Sequence, residues 1–254
     1  MITAEADLAR RFGALDRLYG IAGANRIRAA HVVVVGIGGV GSWSAEALAR
    51  SGVGRLTLID LDHIAESNIN RQVHALDTTL GQAKVTAMRE RIMLINPACV
   101  VDGIEEFVDA GNWPALMPAG ANAVIDACDQ VKAKAAMAAW ARINETIFIS
   151  AGAAGGKRLA HLVDIDDLSQ VTHDPLLAQL RNHLRKEHGA AREGKRMGVS
   201  CVFSRELVAP VNAACELASD GSLNCHGYGS LVTVTATFGQ CAAGWVLNQI
   251  AGRS

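Results

Sequence analysis

Val32 to Val35 form an unbroken run of β-branched residues, which predicts a strand buried on both faces. Gly36-Ile37-Gly38-Gly39-Val40-Gly41 follows, and apolar positions at Val40, Ala47 and Leu48 predict a helix from about Val40 to Ser51. Gly52 and Gly54 end it. Arg55 to Ile59 alternates as a second strand and carries Asp60 at its carboxyl end. A polar loop runs from Asp62 to Thr79. An amphipathic helix then spans Gly81 to Ile95, with Lys84 near its start and Asn96-Pro97 as its stop. Cys99 to Val101, Ala123 to Asp126 and Thr146 to Ser150 predict three more strands, with a helix from Lys132 to Ile143 between the last two. This β–α alternation predicts an α/β fold, a Rossmann-like, doubly wound and mainly parallel sheet.

Residues 5–30 are charged and helical in character and are expected to cover a sheet edge. After residue 150 the pattern changes. Gly152 to Gly156 predicts a flexible turn, Leu159 to Ile165 a strand, and His173 to His188 a helix opened by Asp174-Pro175. Ala190 to Gly198 is expected to be mobile, Ser200 to Ser204 a short strand, and Ser219 to Gly229 a loop of small residues. The apolar run from Leu231 to Ile250 is broken by Thr233, Thr235, Thr237, Gly239, Gln240 and Asn248, so it predicts a buried helix or strand–helix rather than a membrane span. We expect residues 1–254 to form a single domain, with a nucleotide-binding half at 1–150. The half at 151–254 is expected to complete the sheet and the substrate face.

Composition narrows this only slightly. Half the residues are hydrophobic and the formal net charge is −1, a soluble globular balance in which any nucleic-acid contact must be a local patch. The six cysteines contain no C-x-x-C pair, which removes the usual structural zinc arrangement and points to a reducing, cytoplasmic compartment. Met1 to Arg11 has no apolar core and does not read as a signal peptide.

The glycine segment is the first candidate site. A strand–turn–helix unit leaves free N–H groups and the positive end of the helix over the turn, a seat for phosphate. Gly36 is expected to make the tight turn, Gly38 to let phosphate approach the backbone, and Gly41 to let the helix pack on the strand. Gly39 puts bare backbone where many such motifs have a side chain. Asp60, nineteen residues beyond Gly41, stands where an acid holds a ribose hydroxyl. These features alone also fit a nicotinamide dinucleotide. Arg71 and Lys84 favour Mg-ATP, because cleavage of a triphosphate needs cations on the departing pyrophosphate. Asp126-Ala127-Cys128-Asp129 puts acids at a strand end facing the same crevice, where one can hold Mg²⁺. Asn68, Asn70 and Gln72 add neutral donors and acceptors.

Together, Gly36 to Gly41, Asp60, Asn68-Ile69-Asn70-Arg71-Gln72, Gly81-Gln82-Ala83-Lys84 and Asp126 to Asp129 resemble the ubiquitin-activating-enzyme-like adenylation superfamily. Arg11-Phe12-Gly13, Arg17-Leu18-Tyr19-Gly20, Gly198 to Ser204 and Thr235 to Gly239 are similar to its tRNA threonylcarbamoyladenosine dehydratase branch, and the likeness runs along nearly the whole chain. The resemblance implies adenylation of a threonyl carboxylate by Mg-ATP, then ring closure with loss of water, on a tRNA partner. It implies that Asp60 holds the ribose, that Asn70 and Arg71 face the phosphates, that Lys84 holds the triphosphate and that Asp129 binds Mg²⁺. It implies a homodimer in which Arg17 reaches the nucleotide of the partner subunit, and a sulfur-transfer protein as a further partner. Gln130 departs from the Asn that many superfamily members carry after the acid.

Cys225, followed by His226, is a candidate nucleophile for a thioester stage, against an inert thiol, since an intramolecular ring closure needs no covalent stage. Cys201, between apolar residues, reads as core. Arg181, Arg185, Lys186, Arg192, Lys195 and Arg196 cluster within sixteen residues, either as an RNA-facing patch or as a solvated helix face. The rival functions are an activating enzyme for a ubiquitin-like sulfur carrier, an NAD-dependent oxidoreductase, and a nucleotide-binding scaffold without catalysis.

Overall fold

The computed structural model describes residues 6–192, 194–209 and 228–252. Strands β1 (His31–Val35), β2 (Arg55–Ile59), β3 (Val100–Ile104), β4 (Ala123–Asp126), β5 (Ile147–Ala151), β6 (Val163–Asp167) and β7 (Ser200–Ser204) form one sheet in the order β3-β2-β1-β4-β5-β7-β6. Every pairing is parallel except β6 with β7. The mainly parallel, doubly wound sheet is therefore present, and strands from both halves of the chain complete it. The order reverses between β1 and β4. That reversal opens a crevice at the carboxyl ends of the strands, where α/β folds bind their ligands.

β1 is buried along its whole length, as a β-branched run in a central parallel strand requires. Val32 and Val34 face one core, Val33 and Val35 the other. The first core takes residues from α2 (Ala14–Ala29), α3 (Gly41–Arg50), α4 (Lys84–Ile95) and α7 (Val232–Gly252). The second is closed by α5 (Val131–Ile143) and α6 (Pro175–Glu187). The expected buried helix over residues 231–250 is α7, which lies in the first core. Among the described residues no helix is long and apolar enough to cross a membrane.

Several expectations change. The described part of this N-terminal stretch, residues 6–30, holds two helices, α1 (Leu8–Phe12) and α2, and Gly20 kinks the second at φ 69°. Rather than covering a sheet edge, α2 packs on α7. Tyr19 donates to Asn248 at 3.0 Å, and Arg26 donates to the Ala251 carbonyl. Residues 160–162 are a short 3₁₀ turn, so the strand begins later, at Val163. The segment from Ala190 to Gly198 is anchored at its end: the N–H groups of Met197 and Gly198 donate to the Asp167 carboxylate at 2.8 and 2.7 Å. Between β3 and β4, where the pattern predicted no element, Trp113 is buried against Trp140, ring centroids 5.6 Å apart.

The tightest helix contact crosses α3 and α7 at Gly239. A Cβ there would lie 2.5 Å from the Val40 carbonyl oxygen and 2.7 Å from the Trp43 Cβ. The close approach lets the Ser44 hydroxyl donate to the Gly239 carbonyl at 3.2 Å. Gly239→Ala is expected to force the helices apart and cost about 1–3 kcal/mol of stability, as overpacking typically does. Urea unfolding measures this; an unshifted midpoint would show that the two helices separate freely.

Candidate functional site

The glycine turn joins β1 to α3 at the crevice. Gly36 has φ 83°, and a Cβ on it would lie 2.8 Å from the Ala127 carbonyl oxygen after β4, so the expected tight turn is a steric requirement. A Cβ on Gly41 would overlap the Gly36 carbonyl. Gly39 does more than expose backbone: a Cβ there would lie 3.2 Å from Thr235 Cγ2 and 3.5 Å from Arg71 Cδ. Its absence lets the first turn of α7 and the stem of Arg71 close over the turn. Gly38 is open, with the Gln72 amide as its nearest neighbour at 3.9 Å. The N–H groups of Gly38, Gly39 and Val40 have no hydrogen-bond partner among the described residues. They stand at the positive end of α3, a cradle with anion-binding chemistry.

Charged groups flank the cradle on two sides. On one side the buried Asp60 carboxylate accepts from the Ile37 N–H at 2.6 Å and the Asp62 N–H at 2.9 Å. Burial raises its pKa, against the opposing pull of Lys84 and these two donors. Lys84 is the first residue of α4, where its backbone N–H donates to the Asp62 carbonyl at 3.0 Å. Its ammonium is buried, 2.6 Å from Asp62 Oδ2 and 4.0 Å from Asp60 Oδ1. On the other side Arg71 donates to the Ser67 carbonyl at 2.6 Å and to Asn70 Oδ1 at 2.9 Å. Asn70 donates in turn to the Ser230 carbonyl at 3.0 Å, just before α7. The Trp43 indole donates to the Arg71 carbonyl at 3.0 Å, so α3 and α7 hold this loop between them. Asp60, Asn70, Arg71 and Lys84 are thus gathered around Gly36 to Gly41.

The acid that ends β4 and the one just beyond it are not equivalent. Asp126 does not face the crevice: it is fully buried and paired with Lys134, also fully buried, at 3.0 Å. Lys134 also donates to the Ser150 hydroxyl at 3.2 Å and the Ala151 carbonyl at 2.8 Å, while Ser150 donates to Asp126 at 2.7 Å. Burial alone would lower the lysine's pKa, but the Asp126 charge and hydrogen bond, together with the Cys128 and Cys201 thiols, outweigh it and hold the pKa above the ordinary value. This cluster joins the carboxyl ends of β4 and β5. The Cys128 N–H and thiol both turn back onto Asp126, at 3.2 and 3.1 Å, and burial pushes the thiol pKa well up. Only Asp129 is exposed, without an ion pair among the described residues. No group of three or more potential metal-ligating side chains occurs among those residues. A divalent cation here would therefore rest on Asp129 and on oxygens brought by the ligand, which suits Mg²⁺.

Other expected residues stand apart from the cradle. Arg17 is exposed on α2 and makes no ion pair among the described residues. Cys225 and His226 lie outside the described residues. Both flanks of that segment are held at Gly156, whose N–H donates to the Gly229 carbonyl and whose carbonyl accepts from the Ala209 N–H, each at 2.8 Å. Beside it the buried Lys157 ammonium donates to the carbonyls of His173, Ser204 and Glu206 at 3.1, 3.2 and 3.1 Å. Its burial lowers its pKa. Cys201 is fully buried, the expected core position.

Lys134, Lys157 and His74 were not legible as site residues, because a lysine among alanines, a lysine after a glycine turn or a histidine in a polar loop normally reads as solvent-facing. His74 is buried beneath the turn, with Nε2 3.0 Å from the Ile37 carbonyl oxygen. Its Nδ1 and the Gln72 Oε1 are buried without a hydrogen-bond partner among the described residues. Unpartnered polar atoms beside a bare cradle fit a site shaped for a polar ligand.

The ThiF family profile matches residues 11–254. The tRNA threonylcarbamoyladenosine dehydratase of Haemophilus influenzae is 42% identical over 245 residues, 95% of this chain and 93% of that one. The Escherichia coli protein of the same name is 42% identical over 254 residues, 96% of this chain and 95% of its own. A crystal structure of the E. coli dehydratase in complex with ATP superimposes with a TM-score of 0.87 at 41% identity, covering 96% of each chain.

Two measurements test this geometry. Burial lowers the His74 pKa from 6.5 to about 4, so the native state rejects a proton that the unfolded chain binds. Stability is therefore expected to fall as pH drops from about 6.5 towards 4, by roughly 2–3 kcal/mol in all. His74→Asn should remove about one proton from the unfolding linkage in that window; an unchanged pH slope would place the proton elsewhere. Lys134→Met strands the Asp126 charge and is expected to cost about 3–5 kcal/mol. Lys134→Met with Asp126→Asn should recover part of that loss in urea unfolding, and simple additivity of the two would show the pair uncoupled.

Proposed function

Because this chain belongs to the ThiF family, we propose that it adenylates the threonyl carboxylate of N6-threonylcarbamoyladenosine in tRNA with Mg-ATP, and that ring closure with net loss of water follows. The observation that carries this reading is likeness along almost the entire chain to two proteins named as that dehydratase, rather than to the nucleotide-binding half alone. The bare cradle with its flanking cations supports the nucleotide part independently. One sheet through both halves supports a single adenylation domain over residues 1–254.

A carboxylate is a poor electrophile because it is an anion. Adenylation removes that obstacle: a carboxylate oxygen bonds to the α-phosphorus, the bond to the β-phosphate breaks, and pyrophosphate leaves. The neighbouring carbamoyl group then attacks the acyl carbon and AMP departs carrying the carboxylate oxygen, which accounts for the lost water. The second step is intramolecular and needs little beyond positioning. In this reading the N–H groups of Gly38, Gly39 and Val40 receive phosphate oxygens and Asp60 receives the ribose. Asn70 faces the phosphates as a neutral donor, and Arg71 and Lys84 neutralise the charge that develops on the departing pyrophosphate. Mg²⁺ held by Asp129 would screen the phosphates. Arg17, exposed on α2, would reach the nucleotide of a second copy in a homodimer. Such an enzyme works in the cytoplasm, where its tRNA is.

The test is mass spectrometry of nucleosides from threonylcarbamoyladenosine-bearing tRNA incubated with the protein and Mg-ATP. The expected product is lighter by one water, with AMP and pyrophosphate formed in step. Lys84→Ala and Asp129→Asn are each expected to slow it by about a hundredfold or more, the scale of losing one preorganised charge-stabilising group. Pyrophosphate exchange stimulated by a small protein with a Gly-Gly tail, and not by this tRNA, would overturn the reading in favour of a sulfur-carrier activating enzyme.

A further inference from the structure

We propose that the cleft at the carboxyl end of α6 seats backbone phosphates of the RNA substrate, away from the reacting carboxylate; this rests on the tRNA reading above. The basic stretch after residue 180 looks uniform in sequence, and the fold sorts it into two sets. Arg181 is used internally, donating to the carbonyls of Leu168 and Val171 at 3.0 Å each. Arg196 faces Asp166 at 3.6 Å. Arg185, Lys186 and Arg192, with Asn182, instead line a cleft of about 430 Å³.

The helix builds this cleft by its own geometry. Leu177, Leu180 and Leu184 face the core, which turns positions 182, 185 and 186 outward as i, i+3 and i+4 neighbours. The chain reverses at Gly189, φ 57°, and brings Arg192 back across the helix end. Arg185 donates Nε to the Ala191 carbonyl at 3.3 Å, which orients its guanidinium without using its terminal nitrogens. Among the described residues Lys186 pairs with Glu187 alone, at 3.3 Å and in solvent, a pair of little energetic weight. Arg192 has no ion pair among the described residues.

The lining chooses the ligand class. It offers guanidinium and ammonium donors and one side-chain amide, and among the described residues no carboxylate or hydrophobic residue lines it. Guanidinium forks match phosphate oxygens. Position then separates RNA from a free phosphate. Asp174 caps α6 and accepts from the Ala153 N–H at 2.9 Å, so the helix starts at the carboxyl end of β5, on the nucleotide edge. It then runs roughly 15 Å along the second face to Arg185 and Lys186. A ligand that fills both places must be a polymer with repeated phosphates. The formal net charge of −1 leaves no general positive field to do the same work.

The experiment measures tRNA affinity across a salt series for the wild type, for Lys186→Gln/Arg192→Gln, and for the triple variant that adds Arg185→Gln. Neither Lys186 nor Arg192 supports the fold, so the double variant remains informative if the triple is unstable. Each cation removed is expected to flatten the slope of log affinity against log salt by about 0.7–0.9 and to raise the KM for tRNA several-fold. The KM for ATP and the kcat at saturating tRNA should stay at wild-type values. Variants with wild-type affinity and slope overturn the proposal, and so does equal weakening of ATP. A wild-type protein that ignores tRNA at every salt concentration overturns the functional reading itself, which the variants alone do not.

Discussion

Four segments meet at the carboxyl end of β1, and they meet only because no Cβ stands between them. Gly36 touches the chain leaving β4, Gly41 lies against the Gly36 carbonyl, Gly39 admits Arg71 and Thr235, and Gly239 lets α7 lie on α3. At Gly36, Gly41 and Gly239 a single methyl group has no room, whereas at Gly39 the neighbouring side chains would have to give by a few tenths of an ångström. Close packing at those three glycines is intolerant because the nearest neighbours include backbone, which cannot swing away as a side chain can. The functional consequence follows directly. Where side chains are excluded, the surface left to a ligand is backbone N–H, aligned with the dipole of α3.

Polar chemistry surrounds this apolar constraint, and three buried lysines organise it. Lys134 ties β4 to β5 through Asp126, Ser150 and a carbonyl. Lys84 sits between Asp60 and Asp62 beside the turn. Lys157 gathers carbonyls at the end of β7. Desolvating an ammonium costs several kcal/mol, so such groups contribute little net stability. What they fix is position: each has one geometry that satisfies it. All three lie near the carboxyl ends of the strands, so the edge that must present a ligand in register is also where the polar interior is most exacting.

The first core holds the nucleotide cradle through α3 and α7, and the second carries α6 and its basic end. The sheet between them is the common frame. A modified base read at one edge and a backbone followed along one face demand a rigid frame rather than a deep pocket, consistent with a substrate that is itself large and structured.

Much of this was open to the sequence. A β-branched run cannot rest except in a buried strand, six residues with glycines at Gly36, Gly38, Gly39 and Gly41 cannot be a regular helix, and Asp60 after a strand has one place to be. These are local rules, and they located the sheet, the turn and the flanking Asn70, Arg71 and Lys84. Other roles depended on partners distant along the chain. Asp126 and Asp129 are three residues apart and look alike, yet Lys134 and Ser150 take the first into the interior and leave the second in solvent. His74 is part of the site only because the turn lies over it. Arg181 and Arg185 are neighbours on one helix; the carbonyls of Leu168 and Val171 hold the first, while the second donates only its Nε and keeps its terminal nitrogens available. Sequence patterns report the preference of a residue for its own backbone and for water; whether a charge is spent or available depends on what folding places against it.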